Sequence, residues 1–310
     1  MDIVKQTVRD IKSLKIQGAS NVRKKSVEAL VSATIKSKAK NETEIRKEFL
    51  KNAKELFYAR PTEPELRTAL RIIKQSISQK ELSVDEIKNR IQKKAENYAK
   101  DRKDSLEKIA KYGSELIQPN STILTHCHSS SVVNMLIRAK KKINMVYCCE
   151  ARPLYQGRIT VSELTKAGVN ATLIVDNAAS IVMKKCNYFF TGTDAFLADG
   201  DVINKIGTNQ LSIACKKYDV KHYAVTSTHK FEPASFFGKS EPIEQRSIDE
   251  VWEKKARGKV KILNSAFDRT DSSQIEGIIC ELGVFSPQSL ASELYKKFQL
   301  DKHHEEFLKF

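Results

Sequence analysis

Glycine is spread so unevenly along this chain of 310 residues that it divides the chain in two: only Gly18 and Gly113 of the 11 glycines precede Pro119. A stretch so poor in turn residues has few ways to fold other than as long helices. Its apolar residues agree, recurring at helical spacing as Ile3, Val4, Val8, Ile11 and Leu14, then Val27, Leu30, Val31 and Ile35. The spacing predicts an all-helical N-terminal domain over residues 1–118. Ser83 and Glu86 fit a capping box at the start of a long charged helix running to about Tyr112, with Gly113 as its C-cap and Pro119-Asn120 as the hinge.

Beyond Pro119 short apolar runs alternate with helical stretches, the pattern of a parallel sheet covered by helices. Strands are expected at Thr122–Thr125, Met145–Cys148, Ala171–Val175, Tyr188–Thr191 and His222–Val225. Helices are expected at Ser130–Lys140, Thr160–Ala167, Ala178–Lys184 and Lys205–Tyr218. Residues 119–310 therefore read as a Rossmann-like α/β domain, and the content of 40% hydrophobic residues suffices for two cores.

The formal charge of +16 raises the question of nucleic acid, and its distribution answers against it. Residues 1–118 hold 28 Lys/Arg against 17 Asp/Glu, but the lysines alternate with glutamates at helical spacing and lack interleaved aromatics. A solvated helical face is the expectation, with nucleic acid disfavoured. No apolar run approaches the length needed to span a membrane and the first residues form no signal segment, so a cytoplasmic protein is expected. The six cysteines show no CxxC spacing; they read as reduced thiols, five of them packing residues.

Cys127, in Thr125-His126-Cys127-His128-Ser129-Ser130-Ser131, and Asp194, in Thr191-Gly192-Thr193-Asp194, each directly follow a strand run. Parallel sheets bind ligands outside the carboxyl ends of their strands, so a thiol and a carboxylate there suggest proton transfer. His126 and His128 flank the cysteine, but strand alternation assigns both to the face opposite Cys127 and no further His/Cys cluster follows in sequence. No metal is expected.

Several motifs in order carry a resemblance over nearly the whole chain: Gly18-Ala19-Ser20, Ala59-Arg60-Pro61-Thr62, the Thr-His-Cys-His-Ser stretch, Glu150-Ala151-Arg152-Pro153 with Gln156-Gly157, Asn204-Lys205, His229-Lys230-Phe231 and Asn264-Ser265-Ala266-Phe267-Asp268. The chain resembles the family that unites archaeal ribose 1,5-bisphosphate isomerases, methylthioribose-1-phosphate isomerases and the regulatory subunits of translation initiation factor 2B. Cys127 with Asp194 points to the bisphosphate isomerase branch, because the alpha-type regulatory subunits generally lack the cysteine.

The resemblance implies interconversion of α-ribose 1,5-bisphosphate and ribulose 1,5-bisphosphate, without a cofactor. It implies Cys127 as a thiolate acting at carbon and Asp194 at oxygen. An ordinary thiol needs help to ionise, and Ser129, Ser130 and Ser131, at the start of a predicted helix, offer amides and hydroxyls for that and are expected to contact substrate. It places Gly18, Ala19, Ser20, Arg60, Asn204, Lys205 and Lys230 against substrate phosphates or hydroxyls; Asn204 also reads as a helix N-cap. Homo-oligomers, dimeric or hexameric, and a nucleoside monophosphate activator are further implications. A non-catalytic regulatory subunit and a methylthioribose-type isomerase are the alternatives. The chain departs from the isomerase pattern at Gln17, Ser20 and Ser130, which removes two cationic contacts; Arg23, Lys24 or Lys25 are candidates to replace them.

Overall fold

The computed structural model describes residues 2–60, 62–253 and 258–298, so Pro61 of the Ala-Arg-Pro-Thr motif lies outside the described residues. The chain forms two compact units, and the division falls between Asp104 and Ser105. The first unit is built from α1 (Ile3–Lys12), α2 (Ala19–Ile35), α3 (Glu42–Phe57), α4 (Pro64–Gln75) and the first turns of α5 (Val84–Leu116). Each start has a local cause. Asp2 accepts from the amides of Val4 and Lys5, and Asn41 from that of Glu44. The Ser83/Glu86 box forms as expected, the Ser83 amide donating to Glu86 Oε2 at 2.8 Å and the Glu86 amide to Ser83 Oγ at 3.2 Å.

The apolar stripes of these helices meet in one core that includes Leu30, Ile45, Phe49, Leu56, Leu66 and Leu70. Glu65 is fully buried within it and receives Arg23 at 3.1 Å and Arg102 at 3.0 Å. A buried carboxylate survives only with such partners.

Helix α5 runs on to Leu116 and does not stop at Gly113. The expected C-cap is an interior glycine, because a Cβ there would come within 2.1 Å of Met135 Sδ. Ile109 and Ile117 join the core of the second unit, which is why the division falls before the end of the helix.

In the second unit, β1 (Ser121–His126), β2 (Ile143–Cys149), β3 (Ala171–Ile174), β4 (Tyr188–Thr191), β7 (Lys221–Val225), β9 (Gly277–Cys280) and β10 (Gly283–Phe285) form one seven-stranded sheet. Its order is β10-β9-β7-β4-β1-β2-β3, parallel except for the β9/β10 pair. Alternate residues feed opposite faces. Ile123, Val146 and Phe190 pack with α5, α6 (Ser130–Arg138) and α7 (Gly157–Lys166), whereas Leu124 and Phe189 pack with α8 (Ala179–Met183) and α9 (Thr208–Tyr218). The chain steps outward from β1 through β2 to β3, then restarts at β4 on the other side of β1. That reversal opens a crevice at the carboxyl ends of β1 and β4. The Rossmann-like class is as expected.

A small antiparallel sheet is the addition: β5 (Ala195–Phe196), β6 (Val202–Lys205) and β8 (Phe267–Thr270). It corrects one reading. Asn204 and Lys205 are strand residues, paired with Asp268 and Phe267, and α9 starts only at Thr208 behind a left-handed Gly207. Asn204 is thus not the N-cap of that helix. Helix α10 (Pro287–Lys297) closes the described chain.

One buried base gives the fold an acid-sensitive point. His222 on β7 is bonded to Thr191 Oγ1 at 3.0 Å and Ser212 Oγ at 2.8 Å, and burial pushes its pKa down to about 3. Below pH ~6.5 the unfolded chain takes up a proton that the folded chain refuses. The stability held by the neutral ring is therefore complete above that pH and is lost between it and about 3. Unfolding free energies from urea titrations are expected to fall by about 1.4 kcal/mol per pH unit from this group, and to fall less steeply in His222→Gln. Equal slopes for both proteins would remove His222 as the cause.

Candidate active site

Strand β1 ends at His126, and the next residue leaves the strand direction: Cys127 adopts φ 65°, a left-handed conformation that a side chain rarely takes. The turn is held from α7, where the buried Thr160 hydroxyl donates to the Cys127 carbonyl at 2.8 Å. Because that hydroxyl has one proton, its 3.1 Å contact with His128 Nδ1 is donated by the ring. Thr160 thus ties Cys127 and His128 to one helix. Helix α6 then opens at Ser130, and its cap residue Ser129 makes no side-chain cap bond.

Next to β1 lies β4, with His126 opposite Thr191. The chain leaves β4 through Gly192-Thr193-Asp194, and a Cβ on Gly192 would sit 2.7 Å from Ser129 Cβ. This contact brings the aspartate loop against the cysteine turn. Lys230 donates to the Thr193 carbonyl at 2.5 Å, and the Asp194 amide donates to Ile203 O at 2.8 Å. With its amide nitrogen facing the site, Asn204 donates to Gly192 O at 3.2 Å and Asp194 Oδ2 at 3.3 Å, and accepts from Thr208 Oγ1 at 3.0 Å. Cys127, Ser129, Asp194, Asn204, Lys205 and Lys230 therefore belong to one crevice. Gly192→Ala is expected to lower turnover at least tenfold while moving Tm by only a few degrees, because Ser129 and the aspartate loop must part; parallel assay and melting curves check this.

Electrostatics correct one expectation. The Cys127 thiol is half-buried, and its pKa is pushed up to about 11, by desolvation first. Lys205 and the amide of His128 pull it back, while Asp194 and Asp176 add to the rise. The serine turn does not produce a resting thiolate. Lys205, whose ammonium also lies 5.3 Å from the centre of the Phe267 ring, is the principal cation acting on the sulfur.

Two residues escaped the sequence reading. Asp268 accepts from the amides of Gly207 at 2.7 Å and Asn209 at 3.2 Å, so it holds the segment that joins Lys205 to α9. Burial raises its pKa to about 6 despite those amides. It stood inside a quoted motif, but only the β6/β8 pairing shows what it grips. Thr160 had no local signal at all.

The remaining expected contacts belong to the helical unit. Gly18, at φ 78°, precedes the first turn of α2, where Ala19 and Ser20 lie. Arg60 bonds Glu63 at 3.0 Å. Arg23 pairs with the buried Glu65 at 3.1 Å, and Lys25 with Glu28 at 2.9 Å on the exposed surface.

The doubly wound α/β sheet thus carries a thiol and a carboxylate at its switch point, where such sheets bind small ligands. The chain belongs to the initiation factor 2 subunit family, whose model matches residues 15–287. Ribose 1,5-bisphosphate isomerase of Methanocaldococcus jannaschii is 33% identical over 292 residues, 93% of each chain. The 5-deoxyribose 1-phosphate isomerase of Petrotoga mobilis is 34% identical over 307 residues, 93% of this chain and 88% of its own length. Among solved structures, translation initiation factor eIF-2B of Pyrococcus horikoshii OT3 superposes with a TM-score of 0.80 at 26% identity, covering 93% of this chain and 98% of that one.

Proposed function

We propose that the chain is a sugar-phosphate isomerase that converts α-ribose 1,5-bisphosphate to ribulose 1,5-bisphosphate. The observation that carries this reading is the delivery of Cys127 and Asp194 to one crevice by two neighbouring parallel strands. A phosphate on the anomeric oxygen blocks ordinary ring opening, so acid is needed at the ring oxygen while base works at C2. Moving one proton from the Cys127 thiol to the Asp194 carboxylate arms both groups at once.

The thiolate then takes the C2 proton, and those electrons form the C1–C2 double bond. The bond from C1 to the ring oxygen breaks, and that oxygen takes the Asp194 proton. In the enol phosphate, the C2 hydroxyl returns a proton to Asp194 while C1 receives one from Cys127. The product is the 2-ketone, and the pair is left armed, thiolate and protonated carboxyl, until the proton passes back from Asp194 to Cys127. Lys205 favours the thiolate, and Lys230 and Asn204 hold the aspartate loop.

The test is incubation of the protein with ribose 1,5-bisphosphate, with and without a nucleoside monophosphate, following ribulose 1,5-bisphosphate. Absence of turnover by folded protein, on this and on related sugar 1-phosphates, would sink the enzyme reading in favour of a regulatory subunit. A monophosphate substrate is the second reading. It is favoured by Gln17, Ser20 and Ser130 and by the engagement of Arg23 with Glu65. A kcat/KM more than tenfold higher for 5-deoxyribose 1-phosphate would transfer the assignment. Self-association is part of the proposal, and light scattering of a 35.1 kDa particle would count against it.

A further inference from the structure

A second constellation lies at the carboxyl rim of the sheet, on three strands that stand side by side. His126 is the last residue of β1 and pairs in register with Cys149, the last of β2. Cys149 in turn pairs with Ile174, the last of β3, and Asp176 follows two residues later. Residues in register project to the same side of a parallel sheet, so one nitrogen, one sulfur and one oxygen donor converge. His126 Nδ1, Cys149 Sγ and a carboxylate oxygen of Asp176 all lie within 4.8 Å of one another, with Nδ1 and Oδ1 at 3.8 Å.

The hydrogen bonds around the trio suit a cation. His126 Nε2 lies 2.9 Å from the Ile206 carbonyl, which can only accept, so Nε2 carries the proton and Nδ1 presents its lone pair. His126 is 3% exposed, and Nδ1 has no hydrogen-bond partner. The amides of Ala151 and Arg152 each donate to the Asp176 carboxylate at 2.8 Å, which orients it and leaves lone pairs directed elsewhere. An imidazole fixed by a carbonyl and a carboxylate fixed by amides are the outer partners that metal ligands commonly have.

We propose that His126, Cys149 and Asp176 form a binding site for one zinc-class divalent cation, with its fourth position open. Imidazole, thiolate and carboxylate together suit Zn²⁺ better than the hard cations, which prefer oxygen alone. Bonds of about 2.0–2.3 Å hold tetrahedral donors about 3.3–3.7 Å apart, so donors within 4.8 Å of one another have to draw in by roughly 1.5 Å at most. Binding forms the metal–sulfur bond and releases the Cys149 thiol proton to solvent. Because His126 directly precedes Cys127, an occupied site also pins the turn that aims the thiol. The site does not depend on which sugar phosphate the crevice accepts.

The test uses the full chain, stripped with a chelator, titrated with Zn²⁺ by calorimetry and with Co²⁺ by absorption. One cation per chain with micromolar or tighter affinity is expected, and Co²⁺ should show a thiolate charge-transfer band. Cys149→Ser should abolish the band and weaken Zn²⁺ binding by about 100-fold; Cys127→Ser and Cys148→Ser should retain both. If circular dichroism shows Cys149→Ser to be unfolded, Asp176→Asn replaces it, with binding expected at least tenfold weaker. No binding by wild type, unchanged binding in the folded ligand variant, or loss of the band in Cys127→Ser overturns the proposal.

Discussion

Replacing Cys127 by serine is expected to lower kcat/KM for the sugar-phosphate substrate by about 10³-fold or more, with Tm nearly unchanged. Serine keeps the size of the side chain but gives up the acidity and softness of sulfur, and a positioned acid or base contributes about 10²–10⁴-fold. Asp194→Asn should cost a similar factor, since an amide cannot carry the proton to the ring oxygen. The double variant should be little slower than either single one, because the two groups act as a unit. Steady-state kinetics on all three, with circular dichroism to verify folding, checks this. A Cys127→Ser protein retaining a third of the wild-type rate would remove the thiol from the chemistry.

Gly157→Ala is expected to be the most damaging small substitution to the fold near the site. A Cβ at Gly157 would stand 1.8 Å from the Cys149 carbonyl oxygen and 2.9 Å from Glu150 Cα. Backbone atoms cannot step aside as a flexible side chain does, and the Gly157 amide also donates to Glu150 O at 3.1 Å. The first turn of α7 has to separate from the end of β2, at about 3 kcal/mol or more. That corresponds to a fall of about 6–12 °C in Tm for a unit of this size. Gly113→Ala makes a useful contrast, since its Cβ meets only the flexible end of Met135 and a neighbouring methyl of Ile279 at 3.4 Å. A melting curve for Gly157→Ala within 2 °C of wild type would refute the close approach.

The strands around the site were legible because each is a short apolar run bounded by turn residues, and β1, β2, β4 and β7 lie where those runs stand. Cys127 and Asp194 were legible for the same reason, since a polar residue just past a buried run falls on the rim of the sheet. Asn204 was misread because Asn before Lys-Ile-Gly-Thr imitates a helix cap, while its true partner, Asp268, lies 64 residues further on. A pairing so distant leaves no local trace. Gly113 was misread because a glycine that admits a neighbouring helix and one that ends a helix look alike in sequence. The state of the Cys127 thiol was out of reach too: burial, not the serine turn, sets it.

The parallel ladder acts as a ruler for the chemistry. Cys127 comes one residue after the last β1 rung, and Asp194 comes three after Thr191, the last rung of β4. An extra residue in either interval displaces a reacting atom by about 3 Å, the whole length of a hydrogen bond. The turns at the opposite end of the sheet, such as Lys140–Lys142 ahead of β2, enter neither count. Length variation at that end can therefore accumulate without displacing either side chain, whereas the rim intervals do not tolerate insertion.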